Sequence, residues 1–190
     1  MNDEIEVKFL DINPVDLQVR LLSLGAVKKF DRLYKRLVFD YPGLILDKEN
    51  AWLRLRDEGD QVTLTYKQRQ GVKGNSGDDE GMKELEVVVD SFEKTAEILF
   101  SVGMIDKGFQ ENRRVRYEIG GVTVDIDFWP LLSPYVEIEA KRLVEIKEMA
   151  EKLGFVWDDR KTFTAYQMYL NMNINTHDYK EISFAKQVKR

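Results

Sequence analysis

The chain has no cysteine. Disulfide frameworks, thiolate zinc sites and cysteine nucleophiles are therefore excluded. It has a single histidine, His177, set in a polar C-terminal stretch. Neither a histidine triad nor a histidine-rich metal site is available, and His177 itself reads as inert. No apolar run approaches the roughly 20 residues that a membrane-spanning helix needs. A basic excess is missing too, since the formal net charge is −5 at pH 7. A protein that grips a nucleic-acid backbone normally carries the opposite sign, so no nucleic-acid partner is expected. The first residues, Met1-Asn2-Asp3-Glu4, show no basic or apolar leader, which points to a cytoplasmic protein.

These absences leave carboxylates, lysine, arginine, hydroxyls and a bound metal as the sources of chemistry. Hard cations such as Mg²⁺ and Mn²⁺ prefer carboxylate oxygens. A chain of 190 residues fits one large domain with a sizeable core. That domain is expected over residues 1–172, followed by a polar tail, 173–190.

What the sequence does have is alternation. Strict polar–apolar alternation over four to eight residues marks a strand with two unlike faces. Glu4-Ile5-Glu6-Val7-Lys8-Phe9 sets Glu4, Glu6 and Lys8 on one face. Trp52-Leu53-Arg54-Leu55-Arg56 pairs two arginines. Val62-Thr63-Leu64-Thr65-Tyr66-Lys67 places Lys67 with two threonines. Glu84-Leu85-Glu86-Val87 pairs two acids, and Arg114-Val115-Arg116-Tyr117 pairs two more arginines. Val122 to Phe128 pairs Asp125 with Asp127, and Tyr135 to Glu139 pairs Glu137 with Glu139. A further strand, with less clean alternation, is predicted over Tyr34–Asp40.

Helices follow from the 3.6-residue spacing. Asn13-Pro14 opens one that Gly25 ends. Others are predicted at about Ser91–Val102, Leu143–Leu153 and Thr162–Met172. Gln70–Met82, rich in glycine, reads as a mobile loop, and its Asp78-Asp79-Glu80 run as solvated charge.

A single strand with a charged face is ordinarily half-exposed, its charges solvated. The set taken together argues otherwise. Solvated faces usually mix Thr, Ser, Lys, Gln and Glu, whereas here acid pairs and arginine pairs occupy separate strands with little filler. Like charges side by side on one sheet are costly without partners. Closing the sheet into a barrel turns the charged faces inward and lets helices cover the apolar faces outside. About eight strands leave room inside for a small ligand. Arginine offers a planar fork for phosphate oxygens, and carboxylates hold the Mg²⁺ or Mn²⁺ that bridges to them. A metal-bound polyphosphate answers both kinds of charge at once.

The opening Glu4-Ile5-Glu6-Val7-Lys8 resembles the E-x-E-x-K signature of the CYTH superfamily, the triphosphate tunnel metalloenzymes. The ordered set that follows is more specific: Arg54 and Arg56, Lys67, Glu84 and Glu86, Arg114 and Arg116, Asp127, then Glu137 and Glu139. Asp127-Phe128-Trp129-Pro130 leading into Pro134 to Glu139 is similar to class IV adenylyl cyclase-like members. The resemblance covers Glu4 to about Leu170. It implies an α+β fold: a closed eight-stranded antiparallel β-barrel, the triphosphate tunnel, with flanking helices. Carried over, it implies phosphate binding by Lys8, Arg54, Arg56, Lys67, Arg114 and Arg116. Metal binding falls to Glu4, Glu6, Asp127, Glu137 and Glu139, with Glu84, Glu86 and Asp125 lining the tunnel. Glu4, Glu6, Lys8, Arg56, Lys67 and Arg116 are the expected catalytic set. This sequence departs from the pattern at Arg114, where many members carry lysine, and at Lys83, where arginine is frequent.

The implied activity is metal-dependent hydrolysis of inorganic, thiamine or nucleoside triphosphate. Cyclisation of ATP to cyclic AMP uses the same charges and is the enzymatic alternative. A non-catalytic polyphosphate- or nucleotide-binding module is the third reading, and the full acid set argues against it. The expected partner is a small-molecule triphosphate, bound by a monomer or a homodimer. Trp52, Trp129 and Trp157 are read mainly as packing residues and only secondarily as base-stacking ones.

Overall fold

A computed structural model describes residues 5–69 and 82–190. Glu4 and the 70–81 part of the glycine-rich segment lie outside the described residues. The fold is α+β. In chain order the elements are β1 (Ile5–Phe9), α1 (Pro14–Ser23), β2 (Val27–Asp40), α2 (Ile45–Lys48), β3 (Ala51–Asp57), β4 (Val62–Arg69), β5 (Met82–Val89) and α3 (Phe92–Ser101). They continue with β6 (Ile105–Ile119), β7 (Val122–Phe128), β8 (Tyr135–Ala140), α4 (Leu143–Lys152), α5 (Ala165–Asn171), β9 (Tyr179–Ile182) and β10 (Gln187–Lys189). No described helix is long and apolar enough to cross a membrane.

Eight strands are hydrogen-bonded in the order β1-β8-β7-β6-β2-β3-β4-β5. Where registers are defined along this path the pairing is antiparallel. The path ends at β1 and β5, so the described pairings form an open series. The closing pair of a complete barrel, expected from the charge pattern, is not among them. A parallel pairing joins β9 to β6, through Phe109↔Glu181 and Gln110↔Ile182.

The chain forms two compact units. The first holds residues 5–32 with Asn112–Ile174. Its core packs the apolar faces of β1, β6, β7 and β8 (Val7, Val115, Val124, Ile126, Val136, Ile138) against Leu17 and Leu21 of α1 and Ile146, Met149 and Ala150 of α4. Period-2 alternation on the strands and i, i+4 spacing on α1 place these side chains on one side. Asn13 caps α1 by accepting from the amides of Val15 and Asp16, with Pro14 following it. Arg20 donates from Nη1 to the carbonyl of Leu153, 2.9 Å away, at the end of α4. Gly154 leaves room for that guanidinium, because a Cβ there would stand 2.7 Å from Nη1.

The second unit holds Leu33–Glu111 and Asn175–Arg190. Its core joins Phe39 of β2 and Leu55 of β3 to Ala96 of α3 and to Met104. Short α2 starts where buried Asp40 accepts from the amides of Tyr41, Leu46 and Asp47. Residues 173–190, read as a polar tail, carry a turn of 3₁₀ helix and the β9–β10 pair. Gly108, at φ 116°, lets β9 lie close to β6: a Cβ there would stand 2.7 Å from the carbonyl oxygen of Tyr179.

Candidate functional site

In the first unit, register sets the charged side chains in rows. Lys8 lies opposite Glu137, which lies opposite Asp125, which lies opposite Arg116. One row on, Glu6 faces Glu139 and Glu139 faces Thr123. Arg114 faces Asp127. Alternation puts all of these on the face opposite the core.

Arg114 is the centre of the ladder. It reaches Asp127 at 2.5 Å, Glu137 at 2.6 Å and Asp125 at 2.8 Å. Arg116 grips Asp125 with two donors, at 2.8 and 2.6 Å. Lys8 Nζ lies 2.5 Å from Glu6 and 3.2 Å from Glu137. Asn112 donates to Asp127 at 3.2 Å. Lys8 and Asp125 are almost wholly buried and Asp127 is completely so, whereas the Glu6 side chain is 54% exposed.

The charges hold one another in place. Burial disfavours the Lys8 ammonium, but Glu137 and Glu6 outweigh it and raise its pKa. Burial likewise opposes the Arg114 charge, yet Asp127, Glu137 and Asp125 hold it well above the ordinary value. For Asp127 burial wins, helped by Glu137 and Asp125, and its carboxyl is pushed up to about 6 despite Arg114. Burial would also raise Glu137, but Arg114 and Lys8 overcome it and lower the carboxyl to about 2. The face carries six acids (Glu6, Glu118, Asp125, Asp127, Glu137, Glu139), Glu118 paired with Lys29, beside the cations Lys8, Arg114 and Arg116. Among the described residues no three acids or histidines already gather as metal ligands.

In the second unit, Arg54 faces Thr65, Thr65 faces Glu86, and Lys67 faces Glu84. Lys67 bridges Glu84 at 2.9 Å. Thr65 donates to Glu86 at 2.7 Å, and Arg54 lies 4.0 Å from the same carboxylate. Arg56 donates twice to Glu58, its guanidinium carbon lying 5.0 Å from the centre of the Tyr34 ring. Thr63 donates to the same carboxylate at 3.3 Å.

Of the residues expected from the sequence, Glu6, Lys8, Arg114, Arg116, Asp125, Asp127, Glu137 and Glu139 come together in the first unit. Arg54, Arg56, Lys67, Glu84 and Glu86 come together in the second. Glu4 lies outside the described residues. Asp125, read only as lining, is central, since both arginines of β6 hold it. Three neighbours escaped the sequence reading: Arg36, Glu58 and Asn112. Arg36 sits directly opposite Arg56 and is buried. Its signal was there in the spacing of Tyr34, Arg36, Val38 and Asp40. Glu58 continues the even-numbered face of Arg54 and Arg56 one step past β3. Asn112 continues the face of Arg114 and Arg116 one step before the arginine pair. Trp129 is buried, edge-on to Tyr169, whose hydroxyl donates to the carbonyl of Pro130 at 2.6 Å. His177 is half-buried beside Asp47 and Lys107.

Fold and site together define an α+β protein whose antiparallel strands present interlocked acid–base ladders. The CYTH domain model matches residues 2–158, and the chain belongs to the CYTH family. None of the curated proteins matches the sequence. Among solved structures, a protein of Pyrococcus horikoshii OT3 aligns with TM-score 0.71 and 23% identity, over 87% of this chain and 98% of that one. A Vibrio parahaemolyticus protein provisionally named an adenylate cyclase aligns with TM-score 0.74 and 13% identity, over 89% of this chain and 98% of that one. A Hippeastrum protein, provisionally named an adenylyl cyclase and described as having a dominant triphosphatase activity, aligns with TM-score 0.63 and 18% identity. The alignment covers 90% of this chain and 96% of that one. At these identities the likeness is one of fold.

Proposed function

We propose that the protein is a metal-dependent hydrolase of small triphosphate-containing molecules: inorganic triphosphate, thiamine triphosphate or a nucleoside triphosphate. The observation that carries this reading is the ladder of the first unit. Buried Lys8 and Arg114 are held charged by carboxylates that outnumber the cations of the face. An excess of hard oxygen donors beside fixed guanidinium groups suits a divalent cation and phosphate oxygens together. The activity described for the Hippeastrum relative supports the same class.

The donor set fits Mg²⁺ or Mn²⁺. Glu6 and Glu139 are cross-strand neighbours and Glu137 lies two residues along β8. These three, with Glu4, would hold the ion. Asp127, fully buried against Arg114 and Asn112, would support it from behind. A bound divalent ion neutralises phosphate charge and lowers the pKa of water. Lys8, Arg114 and Arg116 in the first unit, and Arg54, Arg56 and Lys67 in the second, are the phosphate ligands in this reading. Their role is to fix phosphoryl oxygens and stabilise charge that develops in the transition state. Glu84 holds Lys67 and Glu86 holds Thr65, which keeps the donors of the second unit oriented. A cytoplasmic location belongs to the same reading.

Cyclisation of ATP is the second reading. The name of the Vibrio neighbour and the Asp127–Pro130 segment before β8 favour it. The two reactions differ in which phosphorus is attacked. Incubation with Mg²⁺ or Mn²⁺ and each of inorganic triphosphate, thiamine triphosphate and ATP separates them. Phosphate release that disappears in Glu6→Gln establishes the hydrolase and names its substrate. Cyclic AMP with pyrophosphate establishes the cyclase. Tight triphosphate binding without turnover makes the protein a binding module and overturns both.

A further inference from the structure

We propose that Lys161 is a further ligand to the anionic substrate, presented to the charged face of the first unit from outside its named strands. The inference rests on the triphosphate reading and deepens it. β1 ends the strand series, and its outer edge is taken at one point by Lys161. Lys8 and Lys161 each donate an amide to the other's carbonyl, both at 2.8 Å. Directly opposed residues of an antiparallel pair send their side chains to the same face. The register therefore extends the charged row by one member, to Lys161, Lys8, Glu137, Asp125 and Arg116. The CYTH match stops at residue 158, and Lys161 lies just past it.

The backbone that carries Lys161 is held on both sides. Before it, Phe155 stacks on Phe9 of β1 with ring centres 4.5 Å apart. Trp157 packs against the core of the first unit and takes the Arg160 guanidinium over its ring at 4.6 Å. After it, Thr164 caps α5, and Tyr169 of α5 is tied to the carbonyl of Pro130. Counter-charge sets this lysine apart from the ladder. Lys8 bridges Glu6 and Glu137, and Arg114 and Arg116 hold acids of their own. Among the described residues no carboxylate lies within 4.0 Å of the Lys161 ammonium. A phosphoryl oxygen can meet Lys161 without displacing an acid, whereas each cation of the ladder must first give one up. Two ammonium groups at opposed positions also repel, and an anion set between them relieves that cost. The phosphoryl group so bound sits at the β1 end of the row, beside Glu6 and Glu137, which hold the metal in the same reading.

The test is calorimetric binding of inorganic triphosphate, with Mg²⁺ or Mn²⁺ present, to wild type, Lys161→Gln, Lys161→Arg and Arg116→Gln. The pairing with Lys8 runs through the backbone, so Lys161→Gln should keep the unfolding midpoint of ligand-free wild type. Its Kd should rise about 10-fold, the loss of one charge-assisted contact. That gap should narrow as salt screens the partly exposed ammonium. Lys161→Arg keeps the charge and should bind within about 3-fold of wild type. An equal loss in Lys161→Arg marks a structural role and overturns the proposal. Should Lys161→Gln fail to fold, wild type decides through acetic anhydride labelling read by mass spectrometry. Bound triphosphate should slow labelling at Lys161. Lys161→Gln that binds as wild type does, or Lys161 labelled equally with and without triphosphate, while Arg116→Gln binds weakly, overturns the proposal and leaves the functional reading standing. Wild type that binds no triphosphate overturns both.

Discussion

Arg114 is where the most charge meets. One guanidinium satisfies three carboxylates, two of them on β7 and one on β8. Removing one partner of a buried ionic network leaves its counter-charges uncompensated, at about 3–5 kcal/mol. Arg114→Met should lose roughly that much in denaturant unfolding at pH 7. Glu137 gives the sign of the pH dependence. Its carboxyl falls from an ordinary 4.5 to about 2 because Arg114 and Lys8 outweigh burial. The stability this adds is present above pH 4.5 and lost as pH falls through 2. The gap between Arg114→Met and wild type should therefore narrow on acidification across that range. His177 provides a second check. Burial first, then Lys107, lowers its pKa below 6.5. A lowered folded-state pKa adds stability that is present above 6.5 and lost as pH falls through the folded value. The chain has one imidazole, so a single proton-NMR titration reads its midpoint. A midpoint at or above 6.5 contradicts the packing around Asp47 and Lys107.

At the scale of elements, Gly108 makes the sharpest prediction. β9 reaches β6 only where a side chain is missing, and a methyl group would meet a backbone oxygen, which cannot rotate away. Gly108→Ala should cost about 2 kcal/mol from strain at positive φ and close contact. Residues 175–190 should then become open to limited proteolysis, with faster amide exchange at Ile182. This docking could not have been read from the sequence. Tyr179–Ile182 is short and polar on both faces, and its partner strand lies some 70 residues earlier. α2 was hidden for a related reason. Four residues are too few for a 3.6-residue period to show, and its start is set by Asp40 from the end of another strand. By contrast β3, β4, β7 and β8 were legible almost to the residue. Each is a clean two-residue alternation, with the apolar half buried in β7 and β8 and the threonine half, Thr63 and Thr65, the buried one in β4. The charged face was legible for the same reason, and Arg36 was missed because alternation within Tyr34–Asp40 is less clean, with Lys35 among the apolar positions and Val38 among the polar ones. Which carboxylate serves which cation depends on register between strands far apart in the chain, and no local pattern encodes it.

For the whole molecule, ligand should act as a stabiliser. A ligand that binds only the folded state at 100 times its Kd adds about 2.7 kcal/mol. For a chain of this length the unfolding midpoint should then rise by roughly 5–10 °C. Thermal scans with Mn²⁺ and inorganic triphosphate together should show this shift, and EDTA should reverse it. The ladder of the first unit adds a rule of its own. Its cations are already held by its own acids, like an ion exchanger loaded with its own counter-ions. A lone anion that draws Arg114 away leaves Asp127 with Asn112 alone and Asp125 and Glu137 with one cation each, and a lone cation that draws Glu137 away leaves Lys8 with Glu6 alone. A metal chelate brings both signs together and can replace both halves of a pair in one exchange. In the proposed reading, selection among solutes at this face goes by valence and electroneutrality before shape, and free triphosphate and free metal should each bind more weakly than their complex.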